Sequence, residues 1–154
     1  MQQFLVQNNE IILRLVTAVF LGLAIGVERI LVHKEAGMKT HALVAMGAAV
    51  FALVSEQLVQ EYIKLPGLNP VMIPAQIVLG VGFLGAGSIM LQGSRLKGLT
   101  TATGLWVVAG IGMASGLGFY GLAFISTILV IMILTLVNIF EKPIRKMSGD
   151  EQNY

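Results

Sequence analysis

Residues 72–92 read MIPAQIVLGVGFLGAGSIMLQ, an unbroken run without one charged side chain. Two readings compete for it. Gly80, Gly82 and Gly85 satisfy the G-x-G-x-x-G spacing of a dinucleotide-binding turn, but that turn needs a strand before it and a βαβ unit around it. Apolar residues continue on both sides of these glycines instead, so the run reads as a helix in lipid, where small residues let helices approach closely. At 3.6 residues per turn, Gly80 and Gly87 share a face with Gln76, and Gly82 and Gly85 take nearly the opposite face. The pattern predicts a central helix with two close-approach surfaces. Gln76 is expected to hydrogen-bond to a neighbouring helix or to line a polar pocket.

The rest of the chain extends this reading. Of its 154 residues 56% are apolar and 12% charged, against about 25% charged in a soluble domain. Mean hydropathy is +0.84. A fold this small cannot bury so much apolar surface and keep a polar exterior, so lipid is the solvent. Four more apolar runs, about 11–31, 40–59, 100–116 and 119–138, are continuous rather than alternating, which favours helices over a β-barrel. The expectation is an all-α polytopic bundle of about five spans in one domain, 1–146, with a short polar disordered tail over 147–154. Residues 1–14 read as a polar lead-in and not as a secretory signal peptide. Cys is absent, which excludes disulfides and thiolate metal sites. The net charge of +2 lies in short loops rather than on one face, so no nucleic-acid partner is expected.

Lys and Arg set the orientation. Arg29, Lys34 and Lys39 surround the first loop, Arg95 and Lys97 lie in the third, and Lys142, Arg145 and Lys146 follow the fifth run; only Arg14 and Lys64 fall opposite. With five spans, the positive-inside rule places the N-terminus outside and the C-terminus in the cytoplasm.

Polar residues inside the runs are the site candidates. Arg14, Thr17 and Glu28 occupy one stripe of the first helix. Arg14 and Glu28 stand about 21 Å apart along the axis, so each needs a partner elsewhere, or snorkels to an interface. Glu28 is expected to pair with residues of the first loop, or with Lys39 or His41 of the second helix. Gly22 and Gly26 form a small-residue packing face beside that stripe. Thr40 fits the N-cap of the second helix. His33 and His41 lack the spacing of a metal set and read as hydrogen-bonding or interfacial residues. Glu56 and Glu61 read first as a solvated rim and second, with Glu28, as weak candidates for Mg2+, which retains waters and needs only one or two carboxylates. Thr100, Thr101 and Thr103 open the fourth helix, where Thr100, Gly104 and Ser115 form a polar, small-residue arc; Trp106 lies on another face. No phosphate-binding loop, zinc-protease motif, nucleophile elbow or Ser/His/Asp arrangement is present, which argues against an enzyme.

Taken together, Arg14-Leu15, Gly26-Val27-Glu28-Arg29, Ala36-Gly37-Met38-Lys39-Thr40-His41, Gln76, the block from Gly80 to Gly87, and Gly98-Leu99-Thr100-Thr101 with Trp106 resemble the MgtC/SapB family. The likeness runs from about 14 to 118. It implies a bacterial inner-membrane protein linked to Mg2+ homeostasis and low-Mg2+ adaptation and, in pathogens, to survival in host cells. Many relatives carry a cytoplasmic C-terminal domain that this short form is expected to lack. Asn69-Pro70-Val71-Met72 stands where relatives often have Asp-Pro-x-Arg, which weakens a cation-binding role for that loop. Lys39 replaces the usual Arg and removes bidentate recognition there; Thr103 and Gly104 also depart from the pattern.

Two functions follow as expectations. One is a non-catalytic regulator of membrane machinery, contacting a membrane-protein partner or itself as a homo-oligomer. The other is a transporter or channel for Mg2+ or another cation, with Glu28, Gln76 and the Thr100/Ser115 arc lining a path. No cofactor is expected; Mg2+ enters only as ligand or substrate.

Overall fold

The structure, a computed structural model, describes residues 2–62, Asn69 and 71–147, with side chains over 8–62, Asn69 and 71–141. Five helices follow one another: α1 (Gln2–Leu31), α2 (Met38–Tyr62), α3 (Met72–Gly87), α4 (Leu99–Gly116) and α5 (Tyr120–Met147). Between α3 and α4 lies a small antiparallel hairpin, β1 (Met90–Gln92) and β2 (Arg95–Lys97). Four of the helices are long and apolar enough to cross a membrane, over Asn8–Leu31, Met38–Tyr62, Leu99–Gly116 and Tyr120–Glu141; α3 is apolar but shorter. The chain is therefore an all-α, multi-pass membrane bundle.

Several boundaries move. The first helix reaches back to Gln2, so the expected polar lead-in is helical. The run 72–92 is not one span: α3 stops after 16 residues and the chain turns into the hairpin. Gly93 permits the tight turn at φ +64. At Gly98, φ is +88 and a Cβ would stand 1.9 Å from the Ser88 carbonyl oxygen, so the base of the hairpin closes only on glycine. Helix α2 opens at Met38, which puts Thr40 inside its first turn rather than at its cap. The expected tail from 148 onward lies outside the described residues.

Local chemistry sets the helix ends. After α1, Lys34 N–H donates to Arg29 C=O at 2.9 Å and His33 N–H to Ile30 C=O at 3.0 Å, with His33 itself at φ +55. This is the paired closure of a Schellman motif, on a histidine where glycine is usual. Helix α4 ends the same way, Phe119 N–H reaching Ala114 C=O and Gly118 N–H reaching Ser115 C=O, with Gly118 at φ +77. Before α3, the Asn69 Oδ1 accepts the Val71 N–H at 3.0 Å, a turn-forming bond that Asn and Asp both make.

Close approach decides the packing. In lipid, helices are held by van der Waals fit and polar contacts rather than by a hydrophobic drive. Cβ atoms on Gly22 and Gly26 would meet the His41 carbonyl oxygen at 2.7 Å and the Met38 Cα at 2.5 Å; on Gly112 and Gly116 they would meet the carbonyl oxygens of Ala45 and Ala49 at 2.1 and 2.5 Å. α1 therefore runs antiparallel to α2, and α2 parallel to α4. The alanine face of α2 (Ala42, Ala45, Ala48, Ala49, Ala52) is buried against these glycines. α3 lies antiparallel to α4, with Gly85 against Ala102 and Ile77 and Val81 clustered with Ala109.

The central helix is α4, which packs on all four others, not α3. Gly80, Gly82 and Gly87 have nothing within 4 Å of where a Cβ would stand, so the two close-approach faces expected of α3 reduce to the one at Gly85. The end of α1, the start of α2, the end of α3, the hairpin and the start of α4 consequently share one end of the bundle. The start of α1, the end of α2 and the end of α4 share the other.

Candidate functional site

Each end of the bundle carries an ion-pair cluster, and both involve α1. At the end holding the α4 C-terminus, the Arg14 guanidinium donates to Glu56 of α2 and Glu10 of α1. It also donates to the Gly116 carbonyl oxygen at 2.9 Å. A cation at the last turn of a helix meets carbonyls left without intrahelical partners and the negative end of the helix dipole. Arg14 Nε has no partner among the described residues. Glu10, Arg14, Glu56, Gln57 and Gln60 line a shallow polar pocket of about 170 Å³ beside it. Glu56 is thus a partner of Arg14 rather than a free rim carboxylate, while Glu61 is exposed.

At the other end, Glu28 is bound by its own neighbour. Arg29, 1% exposed, donates through Nε and Nη2 to Glu28 Oε2. The Asn138 amide of α5 donates to Glu28 Oε1 at 3.2 Å. The expected pairing of Glu28 with Lys39 or His41 is replaced by this arrangement: Lys39 and Thr40 face outward, and His41 is spent elsewhere. Its Nδ1–H donates to the Gly37 carbonyl at 2.9 Å, because a carbonyl only accepts. His41 is fully buried, and its Nε2 lacks a partner among the described residues. Gly104 of α4 faces that nitrogen; a Cβ there would stand 3.7 Å from it, in ordinary contact.

The remaining candidates scatter. Thr101 is buried on α4, while Thr100 is exposed. Ser115 donates to the Ile111 carbonyl of its own helix. The proposed arc is therefore broken at Thr100. Gln76 is exposed and lines a groove of about 510 Å³ between α2 and α3 whose other walls are apolar, Phe51, Ile77 and Leu84 among them. Trp106 faces outward. Among the described residues no three His, Cys, Asp or Glu converge as a metal set; Glu28 and Glu56 each face an arginine, and Glu61 joins neither.

Between the two clusters the core is predominantly apolar. Ala18, Leu21, Ile25, Ala45, Ala49, Val108, Ile111, Ala114 and Ala123 form one buried apolar cluster. Sequence reasoning missed Glu10, Asn138 and the Gly116 carbonyl. Asn138 carried a signal, a lone amide at the end of an apolar run. A backbone acceptor carries none.

The sequence profile of the MgtC family matches residues 15–143. The chain is 42% identical over 127 residues to the Escherichia coli protein named "Putative magnesium transporter YhiD", covering 81% of this chain and 59% of that one. It is 47% identical over 120 residues to "Protein MgtC" of Salmonella typhimurium, covering 78% and 49%. A Synechocystis protein, slr0014, is 40% identical over 124 residues, covering 80% and 50%. The chain thus spans about half the length of the curated relatives it matches. No solved structure matches it.

Proposed function

The chain belongs to the MgtC family, and from that premise we propose that it is a non-catalytic regulator of membrane machinery in the bacterial inner membrane, linked to Mg2+ homeostasis. The observation that supports this over transport is the buried apolar cluster between the ion-pair clusters. An ion crossing that cluster would lose its hydration without gaining oxygen ligands, which a conducting path must supply. Each charged cluster is already internally compensated, Glu28 by Arg29 and Glu56 by Arg14. A regulator acts through its surface, by contact with a membrane-protein partner or a second copy of itself. Lys and Arg at the hairpin end face the cytoplasm in this reading, as the positive-inside rule requires.

The test is purified protein in liposomes loaded with a Mg2+-sensitive dye. No flux above protein-free vesicles is expected. Reproducible Mg2+ entry that Glu28→Gln abolishes would overturn the reading.

A cation transporter is the second reading. One feature favours it: a buried acid and the unpartnered His41 Nε2 at the same end of the bundle, groups that cost energy in lipid unless they serve a path or a state not seen here. The same flux assay decides between the two.

A further inference from the structure

We propose that the polar pocket beside Arg14, at the end of the bundle remote from the hairpin, holds a primary ammonium group. Glu10 and Arg14 stand one turn apart on α1, and Glu56, Gln57 and Gln60 complete the polar walls from α2, around a volume of about 170 Å³. Arg14 Nη2 donates to Glu10 Oε1 and Nη1 to Glu56 Oε2. Each carboxylate therefore gives one oxygen to the guanidinium and keeps the other, Glu10 Oε2 and Glu56 Oε1, as an acceptor. The Arg14 side chain is 13% exposed, against 32% for Glu56 and 57% for Glu10. A ligand entering the pocket meets the acids before it meets the guanidinium.

Charge and donor count set the ligand class. One guanidinium compensates one carboxylate. With Glu56 matched to Arg14, Glu10 leaves a single negative charge in surplus, and the other described Lys and Arg side chains, Arg29, Lys34, Lys39, Arg95 and Lys97, belong to the hairpin end. A single surplus charge suits a monovalent cation. A divalent ion would sit against the guanidinium, and among the described residues no third acid joins the pair. An ammonium asks for less: its three N–H donors need three acceptors. The two remaining carboxylate oxygens and a side-chain carbonyl of Gln57 or Gln60 match that demand in kind. A quaternary ammonium has no N–H to give and is recognised by aromatic faces, whereas the apolar lining here, Ile11 and Leu53, is aliphatic.

Depth points to the source. Arg14 reaches the carbonyl of Gly116, the last residue of the 18-residue helix α4. That helix is about 27 Å long, close to the ~30 Å hydrocarbon core, so its end and the pocket lie where hydrocarbon gives way to headgroups. A lipid with an ethanolamine headgroup presents a primary ammonium at this level. A free amine from the aqueous phase is the other source of the same chemistry.

The test uses the full chain in detergent and lipids of identical acyl chains whose headgroups are ethanolamine, its N-methyl and N,N-dimethyl derivatives, and choline. Methylation removes N–H donors and keeps the charge. Native mass spectrometry reads the bound fraction. Affinity is expected to fall along the series, by about tenfold from ethanolamine to choline, and to flatten to within about twofold in Glu10→Gln and in Glu56→Gln. Glu61→Gln, outside the pocket, is expected to keep the gradient. Free ethanolamine separates the sources: a raised thermal midpoint in lipid-free detergent, with all four lipids binding alike, assigns the ammonium to a soluble amine, and a graded lipid series assigns it to the headgroup. Equal binding of the four lipids with no response to ethanolamine overturns the proposal, as does a gradient that survives the double substitution Glu10→Gln/Glu56→Gln. So does a midpoint raised by Mg2+ and not by ethanolamine. Lys64 lies outside the described residues, and a gradient that emerges only in Lys64→Gln would make that lysine the occupant and overturn the proposal as well.

Discussion

Arg14 of α1 closes the C-terminus of α4 by donating to the Gly116 carbonyl at 2.9 Å. The same guanidinium holds Glu56 of α2, so one side chain joins three helices at the end of the bundle remote from the hairpin. Arg14→Gln leaves two carboxylates near each other and an orphan carbonyl, and is expected to cost about 2–4 kcal/mol. Glu56→Gln keeps a hydrogen-bond acceptor and is expected to cost about 1 kcal/mol. Unfolding midpoints in detergent check both. The double variant is expected to be less destabilised than the sum, and strict additivity would mean the pair is not coupled.

Glu28→Gln is expected to destabilise more, by about 3–5 kcal/mol, because it leaves the Arg29 guanidinium buried without a counter-charge. Asn138→Ala removes one hydrogen bond to the same carboxylate and is expected to cost about 1 kcal/mol. Thermal unfolding of the purified variants measures both. A Glu28→Gln protein as stable as the parent would show that the cluster holds nothing together.

Glycine substitutions separate the packed helix faces from the open ones. Gly112→Ala puts a methyl group 2.1 Å from the Ala45 carbonyl oxygen, and Gly26→Ala one 2.5 Å from the Met38 Cα. Backbone cannot yield as a side chain can, so losses of at least about 1–3 kcal/mol are expected. Gly80→Ala meets nothing within 4 Å and is expected to stay within about 0.5 kcal/mol of the parent. Detergent stability of the three proteins, ranked side by side, is the measurement.

The Cys-free chain allows the ends of the bundle to be mapped by single-cysteine labelling. Glu35→Cys and Ser94→Cys are expected to react with an impermeant thiol reagent from one side of the membrane. Asn9→Cys and Gln60→Cys are expected to react from the other. Reaction of Glu35→Cys and Gln60→Cys from the same side would be incompatible with α2 as a span.

The clusters were half legible. Arg14 and Glu28 stood out because an ionised group inside an apolar run must find a partner, and that rule needs no coordinates. Their partners did not stand out. Glu56 is 42 residues from Arg14 and Asn138 is 110 from Glu28, separations that no local pattern encodes. The hairpin failed for a different reason. Residues through Gln92 extended an apolar run, and hydropathy alone does not distinguish a helix from a short exposed strand.

The residues alone were enough to name lipid as the solvent, count the helices and identify the family, because transfer free energy adds up along a chain whatever its neighbours do. Which helix is central, which glycines touch backbone, and which acid each arginine meets depend on how faces dock across space. Those outcomes turn on gaps of an ångström between Gly112 and Ala45 or Gly26 and Met38, and only the assembled bundle contains them.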